Sequence, residues 1–427
     1  MNIPPAGTAP VVAIEGIPRD YDWGSTSAIE NMLGLPRDGN PIAELWFGAH
    51  PNDPAPIPAL GVTLEAFIAE DPKGRLGELT AIEFDSQLPF LLKVLAAERP
   101  LSIQVHPTRE QAIAGFAVED EAGVARDTMT RNYRDPNHKP ELICALTEFE
   151  ALCGFRGVAD IETVLARFAL PELDFVTEAL QEPDPLRAAF KALLTVEDVA
   201  PIARAVAARA AALLAEDSAD RGLGDRELGD RELGDRELSG GAARAVVLAA
   251  EHYPEDVGLV LSLLLNYVVL KAGEAIFLAA GNVHAYLKGV GVEIMAASDN
   301  VLRSGLTTKH IDVDELLKVA DFTPLDEPRW EPLTGGGYRD FTVPVPDFQL
   351  LRVPLEEFKG SCVVNVGPWV PCIVLCTEGE VTVSVGVEPE SPVTLGPGRA
   401  AFVSARRDGF RIEGRGVAFV AGRGQIS

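Results

Sequence analysis

Hydrophobic and polar residues are arranged differently in three parts of the chain, and these patterns predict its elements. Up to about residue 155, short apolar runs such as Leu88–Leu95 are separated by glycine, proline and aromatic residues, which is typical of β-strands joined by turns. From about Asp160 to Leu265 the composition shifts to alanine, leucine, arginine and glutamate. Within this section Pro201 is placed to start a helix whose apolar residues run from Ile202 to Leu214. After Asn266 the strand pattern returns.

One pattern occurs twice in the later part of the chain. Leu270–Ala280 and Leu395–Ala405 share the form L-x-x-G-x-A-x-F-x-x-A at an offset of 125 residues. Each copy predicts a strand, a turn and a second strand, and the pair favours two related β-barrels of jelly-roll or cupin type. Chance is the alternative, because only five small or apolar positions match.

The two copies continue into different sequences. The first runs on into Gly281–His284, whereas the second runs on into Arg406–Gly409, and no histidine occurs after residue 322. Only the first copy offers a metal ligand. We therefore expect the C-terminal barrel to be structural or a packing partner, and catalysis to lie upstream.

These patterns predict a mainly β chain with a helical insertion, built from cupin or jelly-roll barrels and an α-helical domain. A chain of 427 residues is long enough for several domains. We expect a catalytic cupin domain in two parts, residues 1–155 and 266–322. A helical domain, residues 156–265, separates these parts, and a C-terminal jelly roll covers residues 323–427.

A charged pentad interrupts the helical section. Gly224–Leu228 has the sequence Gly-Asp-Arg-Glu-Leu, which recurs from Gly229 and from Gly234. The unit is too short and too charged for a solenoid repeat. We predict a solvated loop or frayed helix with no binding role.

The net charge of −27 argues against nucleic acid and anionic membranes as partners, since no basic stripe offsets it. The hydrophobic share of 47% is that of an ordinary globular protein. An anionic metabolite can still bind such a protein where a few lysine and arginine side chains converge.

The chain carries features of a cytoplasmic protein. Met1–Pro18 contains no basic residue and two early prolines, which does not match a secretion signal. The most apolar run, Val257–Leu270, is shorter than the roughly 20 residues of a membrane helix. The cysteines are odd in number and form no C-x-x-C pair, which predicts reduced thiols; they are Cys144, Cys153, Cys362, Cys372 and Cys376.

Four residues form a candidate metal site. Gln104 and His106 are two apart in a predicted strand, so their side chains share one face. Pro107 lacks a backbone N–H and suits the end of that strand. Glu141 and His284 lie in two further polar motifs and can complete the site.

Two imidazoles, a carboxylate and an amide oxygen favour Zn²⁺ with an exchangeable water. Two histidines and one carboxylate also form the facial triad of Fe(II) oxygenases, so the residue types leave the metal open. A single histidine is more often a packing residue than a ligand, but here two occur in motifs beside glutamine and glutamate. Among the other histidines, His252 is expected on the surface, and His50 and His138 beside the ligands.

A basic cluster occurs shortly after His284 and Glu293. Arg303 and Lys309 could hold a phosphate, since arginine offers a planar two-pronged contact and lysine a point charge. Lys139 can add a third charge. The alternative is that these are solvated surface cations.

At these motifs the chain resembles the type I mannose-6-phosphate isomerases, the zinc-dependent phosphomannose isomerase family. The resemblance is broad and covers the β-rich part on both sides of the helical insertion. It is carried by Tyr21–Ser25, Ala43–Gly48, Leu101–Pro107, Asn137–Glu141, Gly281–Tyr286 and Glu293–Lys309.

The resemblance implies that one zinc ion per chain is bound by Gln104, His106, Glu141 and His284. It also implies that the segment carrying Arg303 lies at the active site, and that a helical domain separates the catalytic halves before a C-terminal jelly roll. The implied reaction interconverts mannose 6-phosphate and fructose 6-phosphate through a cis-enediol. The Gly-Asp-Arg-Glu-Leu repeats depart from the family pattern.

This reaction needs a base that moves a proton between C2 and C1 and a group that stabilises the enediolate charge. We favour Glu293 as the base, because burial near a metal can adjust the pKa of a carboxyl group toward neutrality. Lys139 and His50 are rivals. An ion pair between Glu293 and Arg303 is the structural alternative.

The remaining roles concern charge on the substrate. Arg303 is assigned to enediolate or phosphate charge, and Lys309 and Ser102 to the phosphate. The predicted partner is a small-molecule sugar phosphate, and the chain is expected to be a monomer or weak homo-oligomer. Two alternatives are a sugar-phosphate-binding cupin without turnover and an Fe(II)-dependent cupin oxygenase.

Overall fold

The computed structural model describes residues 10–424, apart from 224–229, 359, 365–368 and 387–389. Its strands are β1 (Val11–Ile14), β2 (Ile17–Arg19), β3 (Glu44–Phe47), β4 (Pro56–Ile57), β5 (Val62–Thr63), β6 (Phe90–Ala97), β7 (Ile103–Val105), β8 (Glu141–Ala145), β9 (Phe149–Phe155), β10 (Leu265–Leu270), β11 (Ala275–Leu278), β12 (His284–Ala296), β13 (Leu302–Gly305), β14 (Leu333–Gly335), β15 (Tyr338–Phe341), β16 (Gln349–Pro354), β17 (Ser361–Val364), β18 (Val370–Val385), β19 (Glu390–Leu395), β20 (Arg399–Arg406) and β21 (Phe410–Gly422).

Its α-helices are α1 (Ala28–Leu33), α2 (Leu64–Glu70), α3 (Pro72–Leu76), α4 (Glu78–Glu83), α5 (Arg109–Glu121), α6 (Val158–Phe168), α7 (Asp174–Ala179), α8 (Pro185–Leu194), α9 (Ala200–Leu223), α10 (Asp230–Ala250), α11 (Val257–Leu261) and α12 (Val313–Val319). The class is therefore mainly β with a helical insertion, as predicted.

The first sheet contains β2, β3 and β6–β13, and it is organised around β12. The later part of this long strand pairs with β6 and β8, and its beginning pairs with β7 and β9. The register places His284 opposite Gln104 and Glu293 opposite Lys93. Polar side chains from several strands therefore meet along β12.

Gly289 directly follows the register shift of β12 against β9 between Tyr286 and Lys288, and it adopts a positive φ of 128°. A Cβ atom at this position would lie 2.6 Å from the carbonyl oxygen of Glu148. A side chain would be strained here both by the backbone conformation and by this close approach.

The second sheet contains β1 and β14–β21, with β18 and β21 as its longest pair. The N-terminal strand β1 joins it by pairing with β20. The two sheets share one apolar core, in which Leu92 and Val94 of β6 belong to the same buried cluster as Phe402 and Phe419. This packing fixes the C-terminal part of the chain against the first sheet.

The helices α6–α11 lie between β9 and β10. Pro201 stands in the first turn of α9, which includes both Ile202 and Leu214, so the predicted helix is confirmed. The helical section shares a buried cluster with Leu152 and Ala285 of the first sheet. The proposed division into domains stays a prediction.

Several other expectations concern particular segments. The first Gly-Asp-Arg-Glu-Leu copy lies outside the described residues and the second begins outside them, whereas the third, from Gly234, lies in α10. The five cysteines are free and buried. None of the described helices is long and apolar enough to cross a membrane.

Candidate active site

A cavity of about 700 Å³ opens on one face of the first sheet. Its walls combine side chains from β3, β6, β7, β8, β12 and β13 with two loops, residues 129–139 and 298–310. Because β12 pairs with β6, β7, β8 and β9, residues far apart in the sequence meet at this wall.

Three of the predicted metal ligands converge here. The ligand atoms of His106, Glu141 and His284 all lie within 4.8 Å of one another. Glu141 Oε2 is 3.5 Å from His106 Nε2 and 3.2 Å from His284 Nε2. The amide nitrogen of Gln104 is 3.3 Å from His284 Nε2, and a flip of this amide would bring its oxygen to the same place.

Backbone contacts determine which nitrogen of each histidine carries the proton. His106 Nδ1 lies 2.7 Å from the carbonyl oxygen of Asn300, and His284 Nδ1 lies 2.9 Å from that of Asn282. A carbonyl oxygen can only accept, so each Nδ1 donates and each neutral ring directs an Nε2 lone pair toward Glu141.

This arrangement fits a cation. Both His106 Nε2 and Glu141 Oε2 are buried without a hydrogen-bond partner among the described residues, a costly state unless an ion binds there. Burial and the charge of Lys139 lower the pKa of His106 to about 4. Its Nε2 lone pair is therefore available at neutral pH.

Lys139 lies beside this cluster. Its Nζ lies 2.7 Å from Glu141 Oε1. Although burial opposes it, the positive charge of Lys139 holds the pKa of Glu141 well below its usual range. The carboxylate is therefore ionised at neutral pH.

Glu293 lies on the same cavity wall and is almost fully buried. Its Oε2 is 3.2 Å from Lys93 Nζ, which is also 3.4 Å from Glu44 Oε1. Burial raises the pKa of Glu293 and the positive charge of Lys93 opposes that rise. The predicted alternative, an ion pair with Arg303, is wrong because Lys93 is the partner.

Lys93 and Glu44 were not predicted as site residues. Lys93 is a single cation in an otherwise apolar strand, which could have drawn attention to it because an unpaired buried charge is costly. Glu44 lies in the similarly apolar β3. The indole N–H of Trp46 donates to Glu44 Oε2 over 2.7 Å.

Arg303 and Lys309 line the cavity with Arg134, a third cation that was not predicted. Burial and the positive charge of Arg134 lower the pKa of Arg303. The positive charge of Arg303 contributes most to lowering the pKa of Lys309. Within the described chain, none of the three has a carboxylate oxygen within 4 Å. Their mutual repulsion favours the binding of an anion beside them. Ser102 lines the same cavity.

Of the remaining histidines, His310 lines the cavity. His50 Nε2 is 3.5 Å from Asp299 Oδ1, and its ring packs edge-on against Trp46. His138 contacts Asp347, 2.8 Å away. His252 is exposed, as predicted.

Comparison with known proteins identifies the family. The family described as "Phosphomannose isomerase type I, catalytic domain" matches residues 12–158. Mannose-6-phosphate isomerase from Escherichia coli (strain K12) is 37% identical over 406 residues, covering 93% of this chain and 96% of that protein. The chain belongs to the type I phosphomannose isomerase family. Mannose-6-phosphate isomerase 1 of Arabidopsis thaliana is 32% identical, covering 85% of this chain and 82% of its own length.

Solved structures agree with this membership. Mannose 6-phosphate isomerase from Salmonella typhimurium, bound to substrate and a zinc atom, has a TM-score of 0.81 and 36% identity. The alignment covers 98% of this chain and 100% of that one. A zinc-bound holo mannose 6-phosphate isomerase gives the same four values. These similarities confirm the predicted fold of this chain, which is mainly β with a helical region.

Proposed function

We propose that this chain is a zinc-dependent aldose-ketose isomerase that interconverts mannose 6-phosphate and fructose 6-phosphate. One observation carries the proposal: two buried histidine lone pairs face a buried carboxylate on the wall of a cavity that also holds three cations without carboxylate partners among the described residues. The relatives are named for mannose 6-phosphate, and one solved relative holds fructose 6-phosphate as its substrate. Neither the Fe(II) oxygenase nor the non-catalytic alternative has comparable support.

Gln104, His106, Glu141 and His284 would hold one zinc ion. Imidazole nitrogens and carboxylate oxygens are common zinc ligands, and the amide oxygen of Gln104 is the unusual member of this set. When bound, zinc supplies a Lewis acid that polarises or orients the oxygens at C1 and C2 of the sugar. The hydrogen bonds from His106 and His284 to backbone carbonyls keep both rings in the ligating tautomer.

The phosphate is assigned to the cation group at the cavity. Arg303 and Arg134 offer planar pairs of N–H donors, and Lys309 offers a point charge. Ser102 can add a hydroxyl donor. Binding a dianion here relieves the repulsion that now lowers the pKa values of Arg303 and Lys309. Arg303 is also assigned to stabilising the enediolate charge.

Glu293 is assigned as the base. It takes the proton from C2 and returns it to C1, while the hydroxyl proton moves from O2 to O1, so that the substrate and product are isomers. Burial raises the pKa of Glu293 and so increases its basicity, and Lys93 opposes the rise. Lys139, which also lines the cavity, is the rival base. His50 is less suited because Asp299 and Trp46 occupy its surroundings.

We also propose that the protein acts in the cytoplasm as a monomer or weak homo-oligomer. Five buried free thiols support a reducing compartment.

A coupled assay tests the proposed reaction. Chelated protein is assayed for fructose 6-phosphate formed from mannose 6-phosphate, before and after stoichiometric zinc. We expect activity only after zinc is added. Protein that binds zinc at one site but forms no fructose 6-phosphate would overturn the proposal, and iron-dependent oxygen uptake would favour the oxygenase.

A further inference from the structure

Asp347 connects the two chain segments that lead to metal ligands. Its Oδ1 lies 3.0 Å from Arg109 Nη2, and its Oδ2 lies 2.8 Å from His138 Nε2. Arg109 follows His106 by three residues, and His138 precedes Glu141 by three. A single carboxylate therefore contacts both segments, in each case at a residue three positions from a predicted metal ligand.

The segment from His138 to Glu141 has two faces. Lys139 lines the cavity and contacts Glu141, whereas His138 contacts Asp347. Successive side chains of an extended segment point to opposite sides. Asp347 therefore contacts this segment on the side opposite to the one from which Lys139 and Glu141 face the cavity.

The segment from His106 to Arg109 has little freedom between its ends. Pro107 follows the ligand directly, and Thr108 caps α5 through a capping box with Gln111. Arg109 is the first residue of that helix. The position of Arg109 therefore restrains the position of His106, because only a short, restrained stretch of backbone separates them.

Asp347 belongs to the C-terminal part of the chain, between β15 and β16. It is 3% exposed, and the following residue, Phe348, is fully buried in the core that both sheets share. The packing of Phe348 fixes the position of Asp347. The C-terminal part thus reaches the back of the metal site with a charged side chain.

We propose that Asp347 is a positioning residue that holds the ligand-bearing segments of His106 and Glu141 in the arrangement that metal binding requires. Its contacts with Arg109 and His138 are charge-assisted hydrogen bonds to two different segments. The kinetic part of this inference rests on the proposed isomerase function, whereas the metal-binding part does not.

The test compares Asp347→Ala and Asp347→Asn with Glu357→Gln in full-length protein. Glu357 pairs with Arg339 within the C-terminal part, 3.2 Å away. Zinc affinity is measured by competition with a chromophoric chelator, and the visible spectrum of the Co²⁺-substituted protein reports ligand geometry. Thermal unfolding of each apo-protein reports stability.

We expect Asp347→Ala to weaken zinc binding about tenfold, the lower end of the effect of losing a group that orients metal ligands, and to alter the Co²⁺ spectrum. Asp347→Asn should lie between Asp347→Ala and the unaltered protein, because its amide keeps one acceptor. Glu357→Gln should bind zinc normally. Unchanged zinc affinity and Co²⁺ spectrum in Asp347→Ala, with only a lower unfolding temperature, would overturn the proposal.

A double-mutant cycle with His138→Ala tests whether Asp347 supports zinc binding through His138 or only by stabilising the fold. If Asp347 acts partly through His138, the two substitutions together should weaken zinc binding less than the sum of their separate effects. Full additivity would refute that part of the proposal. Should Asp347→Ala fail to fold, the same cycle is made with Asp347→Asn.

Discussion

The two copies of the repeated pattern have similar local structures but different buried side chains. In each copy a glycine with positive φ, Gly273 at 90° and Gly398 at 72°, precedes a strand, β11 or β20. Each of these strands is followed by a 13-residue strand, β12 or β21. The shared pattern therefore corresponds to a shared sequence of elements.

The long strands differ in the side chains that they bury. β12 buries His284 and Glu293 among other charged groups, whereas β21 buries apolar side chains such as Ile412 and Val420. Burying charge is costly unless partners surround it, and β12 has them in Lys93 and Glu141. A similar strand arrangement thus serves as a site in one sheet and as a core in the other.

The largest expected effect removes a metal ligand from β12. His284→Ala should abolish stoichiometric zinc binding and reduce kcat/KM about 1000-fold, because a bound metal contributes several kcal/mol to such reactions. Metal analysis and the coupled assay measure both. The exposed His252→Ala is the matched control. Stoichiometric zinc with near-normal turnover in His284→Ala would contradict the assigned ligand set.

The second prediction tests the other buried group of β12. Glu293→Gln should lower kcat about 100-fold, the usual contribution of a general base, and leave zinc bound. Glu413→Gln, an exposed carboxylate on β21, should change neither. If Glu293→Gln retains full turnover, Lys139 becomes the favoured base.

The third prediction concerns the partner of Glu293. Lys93 lowers the pKa of Glu293 against the effect of burial, so Lys93→Gln should raise that pKa further. Because the base must be ionised, the acid limb of the kcat profile should move to higher pH. A pH profile of kcat measures this shift. A limb that stays in place or moves to lower pH would show that Glu293 does not set it.

A smaller effect is expected from the phosphate group. Lys309→Ala should raise KM for mannose 6-phosphate about tenfold, as loss of a charge-assisted hydrogen bond of about 1.5–3 kcal/mol predicts. The kcat should change little. Arg407→Ala, an exposed cation after β20, is the control and should leave KM unchanged. A fall in kcat without a change in KM would move Lys309 from phosphate binding to the chemistry.

The smallest effect on activity is expected in the second copy. Ile412 of β21 is fully buried, so Ile412→Ala should lower the free energy of unfolding by about 2–5 kcal/mol. Turnover per folded molecule should not change. Denaturant unfolding and the coupled assay distinguish the two properties. A specific loss of turnover would mean that the second sheet supports the reaction more directly than its apolar core suggests.

Part of the candidate site could be predicted from local patterns. Gln104 lies in β7 and His106 directly follows it, before Pro107. The two side chains share a face because they are two residues apart. Lys93, Glu44 and Arg134 were missed. The significance of Lys93 depends on pairing with β12 and on contacts with glutamates that are distant in the sequence, which no local pattern reports.

The order of the β-rich, helical and again β-rich sections and the types of candidate ligand could be predicted from the sequence, because periodicity, prolines and glycines act on neighbouring residues. The contact of Glu293 with Lys93 rather than Arg303, and the contacts of Asp347 with both ligand-bearing segments, could not be predicted in this way. These contacts depend on the register of strands separated by long loops and on the packing of one sheet against another. Such long-range choices are made by the whole fold, since a one-residue change of register would turn every side chain of a strand to the opposite face.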